Sequence, residues 1–64
     1  MKTANHMIKV AANVYYSVDG KVRVQKLSGS WIVSKVHNDG RYFEAVGGFA
    51  TVREALVFAE GVEA

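Results

Sequence analysis

Three glycine-ended pairs divide the first three-quarters of this chain into segments of strand length. The pairs are Asp19-Gly20, Ser28-Gly29 and Asp39-Gly40, and the runs between them are rich in β-branched and aromatic residues. Such pairs favour two-residue hairpins, because a type I′ turn needs positive φ at both central residues. The spacing predicts antiparallel strands in sequential order, at residues 10–18, 21–27, 30–37 and 41–46.

The first of these strands is the one that the pattern leaves open, since "MIKVAANV" also suits a coil or helical start. After residue 50 the period of the apolar residues changes. Thr51 and Glu54 form a T-x-x-E capping box, and Gly61 marks the end of the predicted helix. We expect Gly47-Gly48 to turn the chain sharply into this helix, with Phe49 anchoring its entry against the sheet. The apolar stripe of the helix consists of Val52, Ala55, Leu56 and Ala59.

The predicted fold class is therefore α+β, an antiparallel β-meander of three to four strands packed on one face by a single C-terminal α-helix. Sixty-four residues make one domain, 1–64, of which we expect 1–9 to be flexible. The absence of cysteine fits a reducing cytoplasm. No apolar run approaches the roughly 20 residues that span a bilayer, so we expect no membrane contact.

Catalysis finds little support in the sequence. No H-x-x-x-H motif or carboxylate pair has the spacing of a metal site. The serines lack a recognisable base and oxyanion context. We therefore predict a non-enzymatic protein without a cofactor.

Tight hairpins fix the register of a sheet, and the register sorts alternate side chains onto two faces. The predicted register places Val33 opposite Val46 and Val36 opposite Phe43. We expect Trp31 to be the centre of the core beneath the helix. The predicted core face consists of Tyr15, Val22, Val24, Trp31, Val33 and Val46, with Lys26, Lys35, Tyr42 and Glu44 toward its margins.

One helix cannot cover both sides of a sheet, so the second face meets water or a partner. This face mixes cations, aromatic rings, small polar groups and aliphatic side chains, a composition that marks interaction sites when it is exposed. Its predicted members are Val14, Tyr16, Val18, Lys21, Arg23, Gln25, Ile32, Ser34, Val36, Arg41, Phe43 and Ala45. The predicted contact residues are Tyr16, Lys21, Arg23, Gln25, Ser34, Arg41 and Phe43.

Charge is unevenly distributed along the chain. Residues 1–43 hold seven Lys/Arg against two Asp, a net charge of +5, and residues 44–64 hold one Arg against four Glu, a net charge of −3. Such asymmetry indicates a basic working surface and an acidic back. Alternatively, the lysines simply prevent edge pairing of exposed strands.

Nucleic acid is the first candidate partner, because the three cations of the second face neutralise phosphates and its rings stack on bases. The rival is a protein contact, in which the aliphatic side chains pack and the charges form the rim. The chain would then be an inhibitor or regulator of another protein, or a homodimer through this same face.

The stretch "SWIVSKV" followed by "DGRYFEAVGGFATVREALVFA" resembles arm-type integrase domains and plant ethylene-response-type DNA-binding domains, over about residues 30–59. The resemblance rests on Trp31, Gly47, Phe49, Thr51, Glu54 and Ala55. It implies a three-stranded sheet on one helix, with the sheet lying in the major groove of double-stranded DNA. Those domains usually place several arginines on the groove-facing positions, which here are Ser34, Val36, Arg41, Phe43 and Ala45. Small stand-alone domains of this kind are typical of phages and mobile elements, so DNA binding in such a context is the leading prediction.

Overall fold

The computed structural model describes residues 6–37 and 42–62 of the chain. Its elements are β1 (Met7–Ala11), β2 (Val14–Ser17), β3 (Val22–Leu27), β4 (Ser30–Val36), β5 (Phe43–Phe49) and α1 (Val52–Glu60). The strands form one antiparallel sheet in the order β1-β2-β3-β4-β5. The α+β meander with a C-terminal helix is confirmed, but the described residues form five strands rather than three to four.

The additional strand arises because the predicted strand 10–18 is two strands. The chain reverses at Ala12-Asn13, where Asn13 has φ 63°, a left-handed conformation that asparagine tolerates. This reversal was missed because the segment contains no glycine. Of residues 1–9, expected to be flexible, Met7–Lys9 lie in β1, and residues 1–5 lie outside the described part of the chain.

The Ser28-Gly29 pair is the hairpin turn that the sequence predicted. Ser28 has φ 51° and Gly29 has φ 81°, which meets the requirement of a type I′ turn. The flanking residues Leu27 and Ser30 pair directly. A Ser-Gly pair is a weaker turn signal than Asp-Gly, yet here it makes the tight turn.

The Asp19-Gly20 pair does not form a type I′ turn, because only its glycine has positive φ. Instead, β2 ends at Ser17 and a four-residue loop follows. The Ser17 hydroxyl accepts hydrogen bonds from the amides of Lys21, at 3.1 Å, and Val22, at 3.0 Å. It donates one to Asp19 Oδ1 at 2.6 Å. Compared with the predicted two-residue turn, the loop is longer by one residue on each side, Val18 and Lys21. Because both strands are shortened equally, the pairing of β2 with β3 has the predicted register.

The pairing of β4 with β5 is partly as predicted. Val36 pairs with Phe43 and Lys35 pairs with Glu44, as expected. A bulge follows, so that Val33 faces Gly47, and the prediction that it faces Val46 is wrong. The predicted Asp39-Gly40 turn lies outside the described residues.

The bulge lets β5 continue to Phe49, so Gly47 and Gly48 are strand residues and the predicted sharp turn at these positions is wrong. Gly47 serves packing instead. A Cβ there would lie 3.1 Å from Phe49 Cε1 and 3.2 Å from Phe58 Cε2. The missing side chain therefore leaves room for two rings whose centroids are 5.2 Å apart.

The core lies between the helix and the middle of the sheet, as the predicted partition requires. Its fully buried members are Val22, Val24, Val33, Ala55 and Ala59. Trp31 packs against this cluster but is only half-buried, so the prediction that it forms the centre is wrong. Trp31 lies two residues before the buried Val33 on β4. Its ring meets the Tyr15 ring edge-on, with the two ring centroids 6.3 Å apart.

The helix begins and ends where the sequence predicted. The Thr51 hydroxyl oxygen accepts from the Glu54 amide at 3.3 Å, and the same hydroxyl donates to the Glu54 carboxylate at 3.2 Å. Gly61 is the C-cap with an ordinary φ of −99°, so the position does not require glycine for its backbone angle. In the described part of the chain, no helix is both long and apolar enough to cross a membrane.

Candidate functional site

The candidate site is the side of the sheet that the helix does not cover, which we call the open face. Side chains alternate between the two faces of a strand. The open-face side chains therefore point away from the side on which Val22, Val24 and Val33 pack against the helix. Its described members, from the strand pairing, are Ile8, Ala11, Val14, Tyr16, Arg23, Gln25, Ile32, Ser34, Val36, Phe43, Ala45 and Gly48. Trp31 and Arg23 therefore lie on opposite faces, as the predicted register requires.

Tyr16, Arg23 and Phe43 come together at the middle of the open face, and we call them the ring–arginine cluster. Tyr16 belongs to β2 and Phe43 to β5, so about 14 Å separates their strands. Their ring centroids are nevertheless only 6.1 Å apart, with the planes at 79°. Both rings therefore lean inward over the two middle strands.

Arg23 extends from β3 across β4 to reach Phe43. Its guanidinium carbon lies 4.5 Å from the Phe43 ring centroid. Ser34, which pairs with Arg23 on β4, is only 5% exposed although it belongs to the open face. The small serine leaves space for the arginine, so Ser34 lies beneath Tyr16, Arg23 and Phe43.

One nitrogen of the Arg23 guanidinium lacks an acceptor in the described part of the chain. This nitrogen, Nε, is shielded from solvent. The described members of the open face include no carboxylate that would balance its charge. A buried donor without an acceptor costs about 1–3 kcal/mol, and a cation on a ring returns about 0.5–1 kcal/mol. Groups kept at such a cost are concentrated at functional sites.

The other predicted contact residues surround this cluster less closely. Lys21 is exposed in the loop before β3, where its carbonyl accepts from the Val36 amide at 2.8 Å. Gln25 is half-buried in the neighbouring row. Arg41 lies outside the described residues. Three of the seven predicted residues thus form the ring–arginine cluster. Lys21 and Gln25 lie two residues before and two residues after Arg23, outside the cluster.

The charge pattern of the sequence does not map onto the two faces. Pairing places Lys9 opposite Tyr15, Lys26 opposite Trp31 and Lys35 opposite Glu44, all on the helix side. Among described cations, only Lys21 and Arg23 remain for the open face. Among the described residues, the contrast of charge along the chain is therefore not a contrast between the open face and the helix side.

Three open-face residues were missed by sequence reasoning: Ile8, Ala11 and Gly48. Ile8 pairs with Tyr16 and exposes its side chain beside it. It was missed because the pattern did not separate β1 from β2; the only local signal was Asn13. Val18, which the sequence did assign to this face, is exposed in the loop that follows β2.

Comparisons with protein-family models, with curated proteins and with solved structures find no match to this chain. Among the described residues, no group of three or more His, Asp or Glu side chains is placed to hold a metal ion. Fold and site together define a small α+β sheet-and-helix module with an aromatic and cationic cluster on its uncovered face.

Proposed function

We propose that this chain is a non-enzymatic, cytoplasmic binding module that docks onto another protein through the open face, as an inhibitor or regulator. The ring–arginine cluster is the centre of the contact. The observation that supports this proposal is the Arg23 guanidinium, held over Phe43 without an acceptor for its Nε in the described part of the chain. The partner then presents a carboxylate flanked by apolar side chains, so that charge and apolar surface are matched together.

The composition of the open face is that of an interface centre. Such centres are rich in tyrosine, phenylalanine and arginine and poor in lysine and acidic residues. The open face has the first three at its middle and, in its described part, no acidic residue. Ile8 and Gln25 lie around the cluster and would form the rim.

Double-stranded DNA is the second candidate, favoured by the open-face cations, by the lack of a described carboxylate there, and by the resemblance of residues 30–59 to DNA-binding domains. Lys21 and Arg23, the two cations on the described part of the open face, give a salt slope of about −1.8, or roughly tenfold between 50 and 200 mM salt. Base stacking is hindered as well. Arg23 covers a face of the Phe43 ring, and Tyr16 meets that ring edge-on. These terms place DNA behind a protein partner.

Selection from a random peptide display library on the pure protein tests the proposal. Enriched peptides are expected to contain an acidic residue beside apolar ones. Arg23→Glu should weaken their binding about 30-fold or more, the loss expected at a hot spot. The matched control is Lys26→Glu, which makes the same charge change on the same strand but on the helix side; it should change binding less than threefold, a difference of roughly 0.6 kcal/mol.

Fluorescence anisotropy with a short DNA duplex provides the second arm. DNA would be the partner if no peptide is enriched while duplex binding has a salt slope near −1.8 and is lost in Arg23→Glu. Equal losses in Arg23→Glu and Lys26→Glu would indicate non-specific attraction and overturn both candidates. Circular dichroism of each variant verifies that the fold is retained.

A further inference from the structure

A second surface that is largely uncovered runs along the helix, from its outer side to the margin next to β5. Glu54, Val57 and Phe58 are spaced i, i+3 and i+4 and therefore form one stripe, which we call the outer stripe. All three are exposed, Val57 at 65% and Phe58 at 41%. The helix packs on the sheet through Ala55 and Ala59, and one side of the Phe58 ring packs on Phe49. The outer stripe thus exposes Val57 and the remaining side of the Phe58 ring next to a carboxylate.

The outer stripe and the open face are chemically complementary. The open face has a guanidinium among apolar side chains and no described carboxylate. The outer stripe has a carboxylate among apolar side chains, and Glu54 remains exposed although it accepts from the Thr51 hydroxyl. Because the helix covers one side of the sheet and the open face is the other, one molecule cannot join its own two surfaces.

We infer that the partner of the open face is a second copy of this chain, bound through its outer stripe. This inference rests on the proposed use of the open face as a protein-binding surface, and it names a second copy of the chain, rather than a different protein, as the partner. Glu54 of one copy pairs with Arg23 of the next, while Val57 and Phe58 pack against Tyr16 and Phe43. The contact is head-to-tail, so it repeats from copy to copy rather than closing as a symmetric pair. The helix is nine residues long, or about 14 Å, so the contact belongs to the small, weak class below about 1,200 Å².

Analytical ultracentrifugation of the full chain, at concentrations up to about 1 mM to detect weak association, tests this inference. Wild-type protein should show average mass rising with concentration past the dimer. Arg23→Glu breaks the open face, and Val57→Arg breaks the outer stripe; each variant alone should remain monomeric. Mixed together, the two variants retain one intact surface each, and they should form a one-to-one dimer that does not extend.

Val10→Arg is the control for Val57→Arg, because Val10 is a similarly exposed valine, at 55%, on the edge strand. It should associate like wild type. A monomeric wild type, or a mixture that gives no dimer, would overturn the inference. A Val57→Arg variant that still dimerises would show a symmetric open-face dimer instead. The proposed function fails separately, since peptide binding to Val57→Arg does not depend on self-association.

Discussion

Replacing Arg23 with methionine is expected to stabilise the protein while abolishing partner binding. Methionine keeps an unbranched, flexible side chain that can lie over Ser34 and reach the Phe43 ring. It removes the guanidinium, whose Nε is shielded from solvent and has no acceptor among the described residues. The substitution therefore separates the packing role of this position from its role in binding.

The size of the effect follows from two opposing terms. Removing an unsatisfied buried donor returns about 1–3 kcal/mol. Losing the cation over the Phe43 ring costs about 0.5–1 kcal/mol at a half-exposed site. The net expectation is a gain of about 1 kcal/mol in the free energy of unfolding. In a domain of this size that raises Tm by roughly 4–8 °C.

Urea unfolding followed by circular dichroism measures this change, with the slope m checked for constancy. Lys26→Met is the matched control, because it removes an exposed cation from the other face of the same strand. It should change the free energy of unfolding by less than about 0.5 kcal/mol. A loss of about 1 kcal/mol or more in Arg23→Met would show that the guanidinium is structural. Arg23 would then be retained for folding rather than for binding.

Three further expectations concern the frame of the fold. Gly47→Ala should destabilise the protein by about 1–3 kcal/mol, because the added Cβ meets two ring atoms at 3.1 and 3.2 Å; Gly48→Ala, which meets one isoleucine methyl at 3.3 Å, should cost less in the same urea titration. Thr51→Ala should lower the free energy of unfolding by about 1 kcal/mol through loss of the N-cap, seen as a lower Tm. The hydrogen bond from the Ser17 hydroxyl, and then that from the Lys21 amide, hold the pKa of Asp19 below its ordinary value of 3.8. The stability it contributes is therefore present above that value and lost as the pH falls below it, and Ser17→Ala should reduce this acid dependence of the urea midpoint.

Local signals in the sequence were sufficient to predict the helix and to assign side chains to the two faces of the sheet. Thr51 and Glu54 identify a cap whatever lies around them, because capping involves only adjacent residues. The core face follows from alternation, which survives changes in loop length as long as both sides of a loop grow equally. The loop after Ser17 is such a case, and the predicted pairing of Tyr15 with Val24 is observed.

The structural features that the sequence did not predict depend on contacts between side chains that are distant in sequence. The bulge that places Gly47 opposite Val33 makes room for the Phe49 and Phe58 rings, and nothing near Gly47 in the sequence indicates that the Phe58 ring of the helix packs there. The contact of Tyr16 with Phe43 across two intervening strands likewise depends on how the rings lean in the folded sheet. Alternation assigned both residues to one face but could not show that they touch.

The most direct test of the open face as the binding surface is an amide-resolved NMR titration of the Val57→Arg variant, which is expected to be monomeric, with a selected acidic peptide. We predict that the largest chemical-shift changes fall on Tyr16, Arg23 and Phe43, with small changes in the helix. The Arg23 Nε–H resonance should move downfield as it gains an acceptor. Changes concentrated on the helix and its facing core strands, with Arg23 unmoved, would contradict the account.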